Sequence, residues 1–429
     1  MKEKFIKSTI ILMIGGVITK ILGMICKVVL SRYLGTNGIG IYMMILPSFI
    51  LFVNIASFGF PVSISKLVSQ GDKNNKKLIF TSTLFVILIN IILIIFILII
   101  SKSLALNLLH NENCQVALMS IAFVLPFTSL SSLLRSYFFG REKMIPHIIS
   151  NIIEDVVRIL LLFLLIHKFN YLEVKYQVSL VVLSNVICEI ISFIVLFLFL
   201  PKDFVITKRD IYPSKLYLKE SLSISVPTTL TRLVSSICYF LEPIILTNTL
   251  NLVGYSNHFI VNEYGVITGY SLPIILLPSF FTLALSQALL PNISKEFSKN
   301  NIKSVKRKVK LSIFYSLIIG ISFTVILEIF PEKILYFLYK TNQGTKYIRI
   351  LAPVCLFQYI QSPLSAVLDA TGMSKENFIS NIVGVLIRLI FLPLFSLLKI
   401  GLFGYILSTS LNIIVVTFLN YKQVKNKLK

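Results

Sequence analysis

The feature that most constrains this chain is its succession of long apolar runs. About a dozen segments approach or exceed the ~20 apolar residues needed to cross a bilayer as a helix. The clearest are "LIFTSTLFVILINIILIIFILII" and "NVICEIISFIVLFLFL". In hydrocarbon every backbone N–H and C=O must be bonded within its own segment, so such runs form helices. Spans are expected at about 8–30, 40–65, 78–100, 116–138, 148–167, 178–200, 221–247, 264–290, 311–330, 347–370, 378–398 and 401–420. Only 14% of the residues are charged, against about a quarter in a water-soluble domain. No hydrophilic stretch is long enough to house a soluble domain. The expected fold is all-α and polytopic.

The net charge of +23 would suggest nucleic acid or an acidic partner in a soluble protein. Here its placement decides otherwise. Of the 41 lysines and arginines, 26 fall in the two tails and the alternate loops on one side of the expected spans. That asymmetry is the positive-inside pattern, and it puts both termini in the cytoplasm, with the chain in the cell membrane. Nucleic acid is excluded as a partner. Membrane lipids are an expected one, and the loop "KEFSKNNIKSVKRKVK" suits anionic headgroups.

Chemistry-bearing motifs are scarce. Cys26, Cys188, Cys238 and Cys355 fall within spans, and Cys114 is expected as a free thiol in an outer loop, so no disulfide framework exists. The first span carries Lys20 and Lys27 and no small-residue cleavage site, so it is expected to be retained rather than removed as a signal peptide. A phosphate-binding loop, an HExxH pair and Cys/His metal spacing are all missing, and His110, His147, His167 and His258 are scattered. The expectation is a protein without metal or cofactor, and not an enzyme.

The chain repeats itself. "ISNIIEDVVRILLLFLL" at 149–165 matches "ISNIVGVLIRLIFLPLF" at 379–395, and "LPSF" at 46–49 recurs at 277–280. Pro61 with "SISK" and Pro291 with "NISK" follow those motifs, and "TKILGMIC", ending at Cys26, pairs with "TRLVSSIC", ending at Cys238. Matches in the same order along the chain mark an internal duplication. Two halves of six spans each, 1–205 and 206–429, both start in the cytoplasm and are therefore parallel repeats about an axis along the membrane normal. Such a pair is expected to enclose a midplane cleft and to alternate its access by rocking. Pro47 and Pro278, as repeat partners, are the hinge candidates.

A cation at the bilayer centre costs about 2.5–3.5 kcal/mol on insertion scales and has to face a cavity or a partner. Lys20, Lys27, Arg158, Arg232 and Arg388 lie at such depth. The repeat pairs Lys20 with Arg232 and Arg158 with Arg388. Lys20 and Lys27 are two turns apart on one helix face. Together they suit an anionic group such as a phosphate or pyrophosphate, to which guanidinium offers paired hydrogen bonds and lysine a point charge. Glu154, Asp155, Glu189 and Glu242 also lie within spans, as charge-balancing or ion-coupling acids. Glu154 and Arg158, four apart, can equally neutralise each other along one helix. Arg388 has no acid nearby on its own helix and needs a partner from elsewhere. Arg135 and Asp369 sit near helix ends, where snorkelling or capping is expected.

"GGVITKILGMICKVVLSRYLGTNGIGIYMMILP" followed by "ASFGFPVSISKLVSQGD" resembles the opening of the stage V sporulation protein B group, within the multidrug/oligosaccharidyl-lipid/polysaccharide (MOP) flippase superfamily. "SISVPTTLTRLVSSICYFLEPIIL" and "LSQALLPNISKEFSKNN" resemble its seventh and eighth helices. The resemblance implies a MATE-like two-bundle fold. It also implies a flippase that moves a polyprenyl-diphosphate-linked oligosaccharide, such as a cell-wall precursor for spore cortex, from the inner to the outer leaflet, with cell-wall synthesis enzymes as further partners. Lys20, in "TKILG", occupies the place where related lipid II flippases carry a cavity-lining basic residue. Those flippases also have basic residues in helices 2 and 8, and here those helices carry none. Many members have two further C-terminal helices, so the lipid-tail groove these form is expected to be missing. The alternatives are a cation-coupled multidrug exporter of the same superfamily, which calls for acids dominating the cavity, and a membrane glycosyltransferase or ligase, which calls for a long outer loop rich in acids or His.

Overall fold

The computed structural model describes residues 2–71, 74–201, 210 and 212–428, and leaves the side chains of 2–14, 287, 288 and 291 outside that description. The expected boundary at 205/206 and the Pro291 ring therefore lie outside the described residues. The helices are α1 (Lys2–Ser57), α2 (Phe60–Ser69), α3 (Asn75–Ser103), α4 (Cys114–Gly140), α5 (Met144–Phe169), α6 (Val174–Leu198), α7 (Lys215–Leu252), α8 (Asn257–Gly265), α9 (Leu272–Ile275), α10 (Leu277–Ser298), α11 (Ile302–Ile329), α12 (Pro331–Tyr339), α13 (Thr345–Ala370), α14 (Ser374–Ser396) and α15 (Phe403–Lys427). Among the described residues there is no strand.

Among the described residues, nine of these helices are long and apolar enough to cross a membrane, and there are ten such spans if the bent segment running through α8, α9 and α10 is one. The count falls short of the expected twelve for two physical reasons. The first two spans run together as α1, which breaks at Gly35 (φ 62°, ψ −172°), a conformation that only glycine adopts without strain. And α5 carries Glu154, Asp155 and Arg158 together, so its apolar character is interrupted. The second span ends earlier than expected: Phe58 and Gly59 turn left-handed, and Pro61 starts α2 in its first turn, where its missing N–H costs nothing. The bent segment turns by 45° between Asn257–Ile275 and Leu277–Ser286. Pro278 starts the helix beyond that bend, while its repeat partner Pro47 sits inside α1. Cys114, expected in a loop, begins α4 and is fully buried.

Long stretches present apolar side chains outward. On α3, Leu88, Ile91, Ile92, Ile95, Phe96 and Ile99 are all exposed. A surface of that kind is stable against lipid and unstable against water. The chain is a multi-pass membrane protein.

Contacts group the chain into two compact units, Met1–Phe240 and Leu241–Lys429. Within the first, α4 is the central helix, packed on α1, α2, α3, α5 and α6; within the second, α13 takes the same place against α10, α11, α14 and α15. The apolar cores correspond. In the first unit Ile64, Leu134, Tyr137 and Phe138 close the core; in the second Ile293, Leu364, Val367 and Leu368 do so. Each set lies at the same end of the matched helices.

The turn leaving the central helix is duplicated down to its hydrogen bonds. Lys143 N–H donates to Phe138 O (2.9 Å) and Glu142 N–H to Phe139 O (3.0 Å); Met373 N–H donates to Leu368 O (2.8 Å) and Gly372 N–H to Asp369 O (3.3 Å). Both are Schellman closures, which need a left-handed residue after the helix. Gly372 (φ 79°) supplies it in one repeat and Glu142 (φ 57°) in the other.

Candidate functional site

The five intramembrane cations divide into two kinds of environment. Arg158, on α5, is held by its own helix: Nη2 donates to Glu154 Oε1 (2.5 Å) and Nη1 to Asp155 Oδ1 (2.8 Å). Its Nε donates to Asn185 Oδ1 on α6 (3.2 Å). The i, i+3 and i, i+4 spacing places these groups on one face.

Arg135 joins the same cluster. From α4 it donates to Glu154 Oε2, to Glu189 Oε2 (3.4 Å) and to Ser192 Oγ (2.7 Å). The expectation that it snorkels or caps a helix end is corrected: it sits among acids from α5 and α6. Ser131 donates to Glu189. Two guanidinium groups thus share three carboxylates, and Glu154 and Glu189 are both buried. The signal for Arg135 was in the sequence, because three span-borne acids around Arg158 outnumber it and call for a second cation.

Arg388, on α14, finds its partner far away in sequence. Its Nη2 donates to Glu242 Oε1 on α7 (2.7 Å) and to the Tyr405 hydroxyl on α15 (2.7 Å). Its guanidinium also lies 5.0 Å from the centre of the Tyr405 ring. Glu242 is only 2% exposed. The repeat explains why the acid comes from elsewhere. Residues 154 and 155 correspond to Gly384 and Val385, so the local carboxylates are gone. At Gly384 any side chain would meet Val416 and Asn412 of α15. Space for the α14–α15 contact replaces charge.

Lys20, Lys27 and Arg232 differ. Lys20 and Arg232 are exposed and Lys27 is partly buried. Among the described residues neither Lys27 nor Arg232 is paired with a carboxylate. Lys20 and Arg232 stand among exposed apolar residues, Val17, Ile18 and Ile21 on α1 and Leu230 and Val234 on α7. A cation there cannot face hydrocarbon cheaply. The structure therefore places Arg158 and Arg388 on carboxylates and, among the described residues, leaves Lys27 and Arg232 without one. Among the described residues no three His, Cys, Asp or Glu side chains gather as a metal site.

All-helical spans, a duplicated bundle and charged groups set within the spans define a polytopic membrane carrier. The comparisons with known proteins agree. The model of the polysaccharide biosynthesis protein family matches residues 5–297, and the MatE model matches 243–394. Stage V sporulation protein B of Bacillus subtilis (strain 168) is 31% identical, with 100% of this chain and 85% of that protein covered. The lipid II flippase MurJ of the same organism is 24% identical, with 99% and 83% covered. Among solved structures, the inward closed conformation of lipid II flippase MurJ has a TM-score of 0.75 at 19% identity, covering 97% of this chain and 87% of that one. An inward-facing MATE family multidrug resistance transporter of the MOP superfamily has a TM-score of 0.74 at 15% identity, covering 96% and 94%. The chain belongs to the polysaccharide biosynthesis protein family, as a stage V sporulation protein B-like member of the MOP flippase superfamily.

Proposed function

We propose that this protein flips a polyprenyl-diphosphate-linked oligosaccharide, a cell-wall or polysaccharide precursor, from the inner to the outer leaflet of the cell membrane by alternating access. The halves 1–205 and 206–429 would be the alternating bodies, Pro47 and Pro278 their hinges, and both termini cytoplasmic. The similarity to stage V sporulation protein B supports spore cortex peptidoglycan as the destination, with cell-wall synthesis enzymes as the next users of the lipid. The MurJ likeness supports a lipid-linked sugar as cargo.

The observation that carries the reading is the pair Lys27 and Arg232. Lys27 and Arg232 have no paired carboxylate among the described residues, and Lys20 lies two turns from Lys27 on α1. A diphosphate carries the opposite charge in a form that lysine and arginine bind through charge-assisted hydrogen bonds. Lys20, Lys27 and Arg232 hold the headgroup in this proposal. Arg158 and Arg388 serve the scaffold, balanced by Glu154, Asp155, Glu189 and Glu242.

Native mass spectrometry of the protein extracted from its own membrane tests the cargo class. A co-purifying polyprenyl diphosphate sugar is expected on the wild-type chain, and its amount should fall at least fivefold in a Lys20→Gln/Lys27→Gln/Arg232→Gln variant. Equal retention by both would remove these residues from the proposal.

A further inference from the structure

In the first unit a pocket of about 460 Å³ opens where the start of α3, the end of α4 and the entry to α5 meet. Asn74, Asn75, Lys76, Tyr137, Arg141 and Lys143 line it, with Pro201 at its edge. Three of these side chains are cationic and none is acidic. We propose that this pocket is a binding site for a phosphate-bearing anion, distinct from the intramembrane cations assigned to the transported headgroup.

The pocket is built rather than incidental. Arg141 is held in place, its Nη1 donating to the Tyr137 hydroxyl (2.8 Å) and its guanidinium 5.7 Å from the Tyr137 ring centre. Tyr137 itself is 1% exposed and part of the apolar core. An arginine oriented by a rigid neighbour loses little freedom when it takes a ligand. Across the pocket lies the amino end of α3, a 29-residue helix whose first turn carries partial positive charge. Asn74 caps that end, its Oδ1 accepting from Lys76 N–H (3.1 Å) and Lys77 N–H (3.3 Å). Asp210 holds the side chain of the lining residue Asn74, its Oδ1 accepting from Asn74 Nδ2 (2.8 Å). Glu142 stands in the turn between Arg141 and Lys143 with its side chain exposed.

The duplication supplies an internal control. The matching Schellman turn of the second unit has Val367, Thr371 and Met373 where this one has Tyr137, Arg141 and Lys143. The turn closes with the same hydrogen bonds in both units, so closing it requires no cation. The basic residues are an addition of the first unit. A volume of this order lies within the range of small-ligand sites and accommodates a phosphoryl group with an attached glycerol or sugar. By charge asymmetry this end faces the cytoplasm, where anionic phospholipid headgroups and free phosphates are both at hand.

Two probes on the full-length chain separate the sources. The first is inorganic pyrophosphate, titrated calorimetrically into delipidated protein in neutral detergent. The second is phosphatidylglycerol, added in steps to phosphatidylcholine nanodiscs while the thermal midpoint is followed. The wild-type chain should respond to at least one probe, and Arg141→Gln/Lys143→Gln should weaken that response at least fivefold. Lys143→Gln alone leaves the Arg141–Tyr137 bond in place and should weaken it about threefold, which guards against a folding defect. Pyrophosphate can also enter the proposed headgroup site, so both probes are repeated on Lys20→Gln/Lys27→Gln/Arg232→Gln, where the Arg141- and Lys143-dependent part of the response should persist and keeps this site separable from the transport reading. A response to pyrophosphate alone identifies a soluble phosphate compound; one to phosphatidylglycerol alone identifies a lipid headgroup. No wild-type response to either probe, or an equal response from Arg141→Gln/Lys143→Gln, overturns the proposal.

Discussion

The two repeat-related arginines, Arg158 and Arg388, occupy one position of a duplicated helix and are neutralised in opposite ways. Arg158 relies on acids one turn back along its own helix, and shares Glu154 with Arg135. Arg388 relies on one carboxylate from α7, 146 residues away in sequence, and on a tyrosine from α15. The first arrangement is local and redundant, because three acids serve two cations. The second is tertiary: the Glu242–Arg388 ion pair joins α7 to α14. A duplicated fold keeps its cation and reinvents its counterion, and the choice decides how much of the structure each charge holds together.

Removing Glu242 should show the difference most strongly. Glu242→Gln takes the carboxylate from a partly buried guanidinium and should cost about 3 kcal/mol, read as the thermal unfolding midpoint in detergent. Converting the pair to Glu242→Leu/Arg388→Met should recover most of the loss, since apolar replacement of a buried pair is often neutral. Glu154→Gln should cost less, about 1.5–3 kcal/mol for lost charged hydrogen bonds, because Asp155 and Glu189 remain. An equal or larger loss from Glu154→Gln would break the contrast.

Gly384→Ala sharpens the same comparison from the packing side. Its methyl would press on Val416 and Asn412, and overpacking of this kind should cost about 1–3 kcal/mol. The corresponding position in the first unit already carries the Glu154 side chain, so Glu154→Ala should show no overpacking loss of its own. The smallest effect should be a gain. Glu142→Gly relieves a left-handed non-glycine residue and should stabilise by about 0.5–1 kcal/mol, toward the glycine that the second unit already uses.

The spans were legible in the sequence because hydrocarbon leaves the backbone no alternative to helix. The duplication was legible because matched motifs survive at fixed offsets. What periodicity could not supply was contact between helices distant in the chain. Arg388 was seen to need an acid from elsewhere and Glu242 was named as a charge-balancing acid, yet nothing in the sequence paired the two. Arg135 was assigned by its nearness to a helix end, while burial put it among Glu154 and Glu189. The break at Phe58–Gly59 moved a span boundary because an isolated glycine within an apolar run does not announce a left-handed backbone, whereas Gly35 breaks α1 inside the expected connection between the first two spans. Cys114 changed from loop to buried helix start for a similar reason: the polar "NEN" before it marks a turn, while the helix begins one residue later.

Transport by Lys20, Lys27 and Arg232 is tested most directly by leaflet-resolved flipping in proteoliposomes, using a fluorescent polyprenyl-diphosphate sugar. Wild-type protein should move the label across the bilayer. The Lys20→Gln/Lys27→Gln/Arg232→Gln variant should lose at least tenfold in rate while keeping the wild-type thermal midpoint. Flipping at the wild-type rate by that variant would contradict the account.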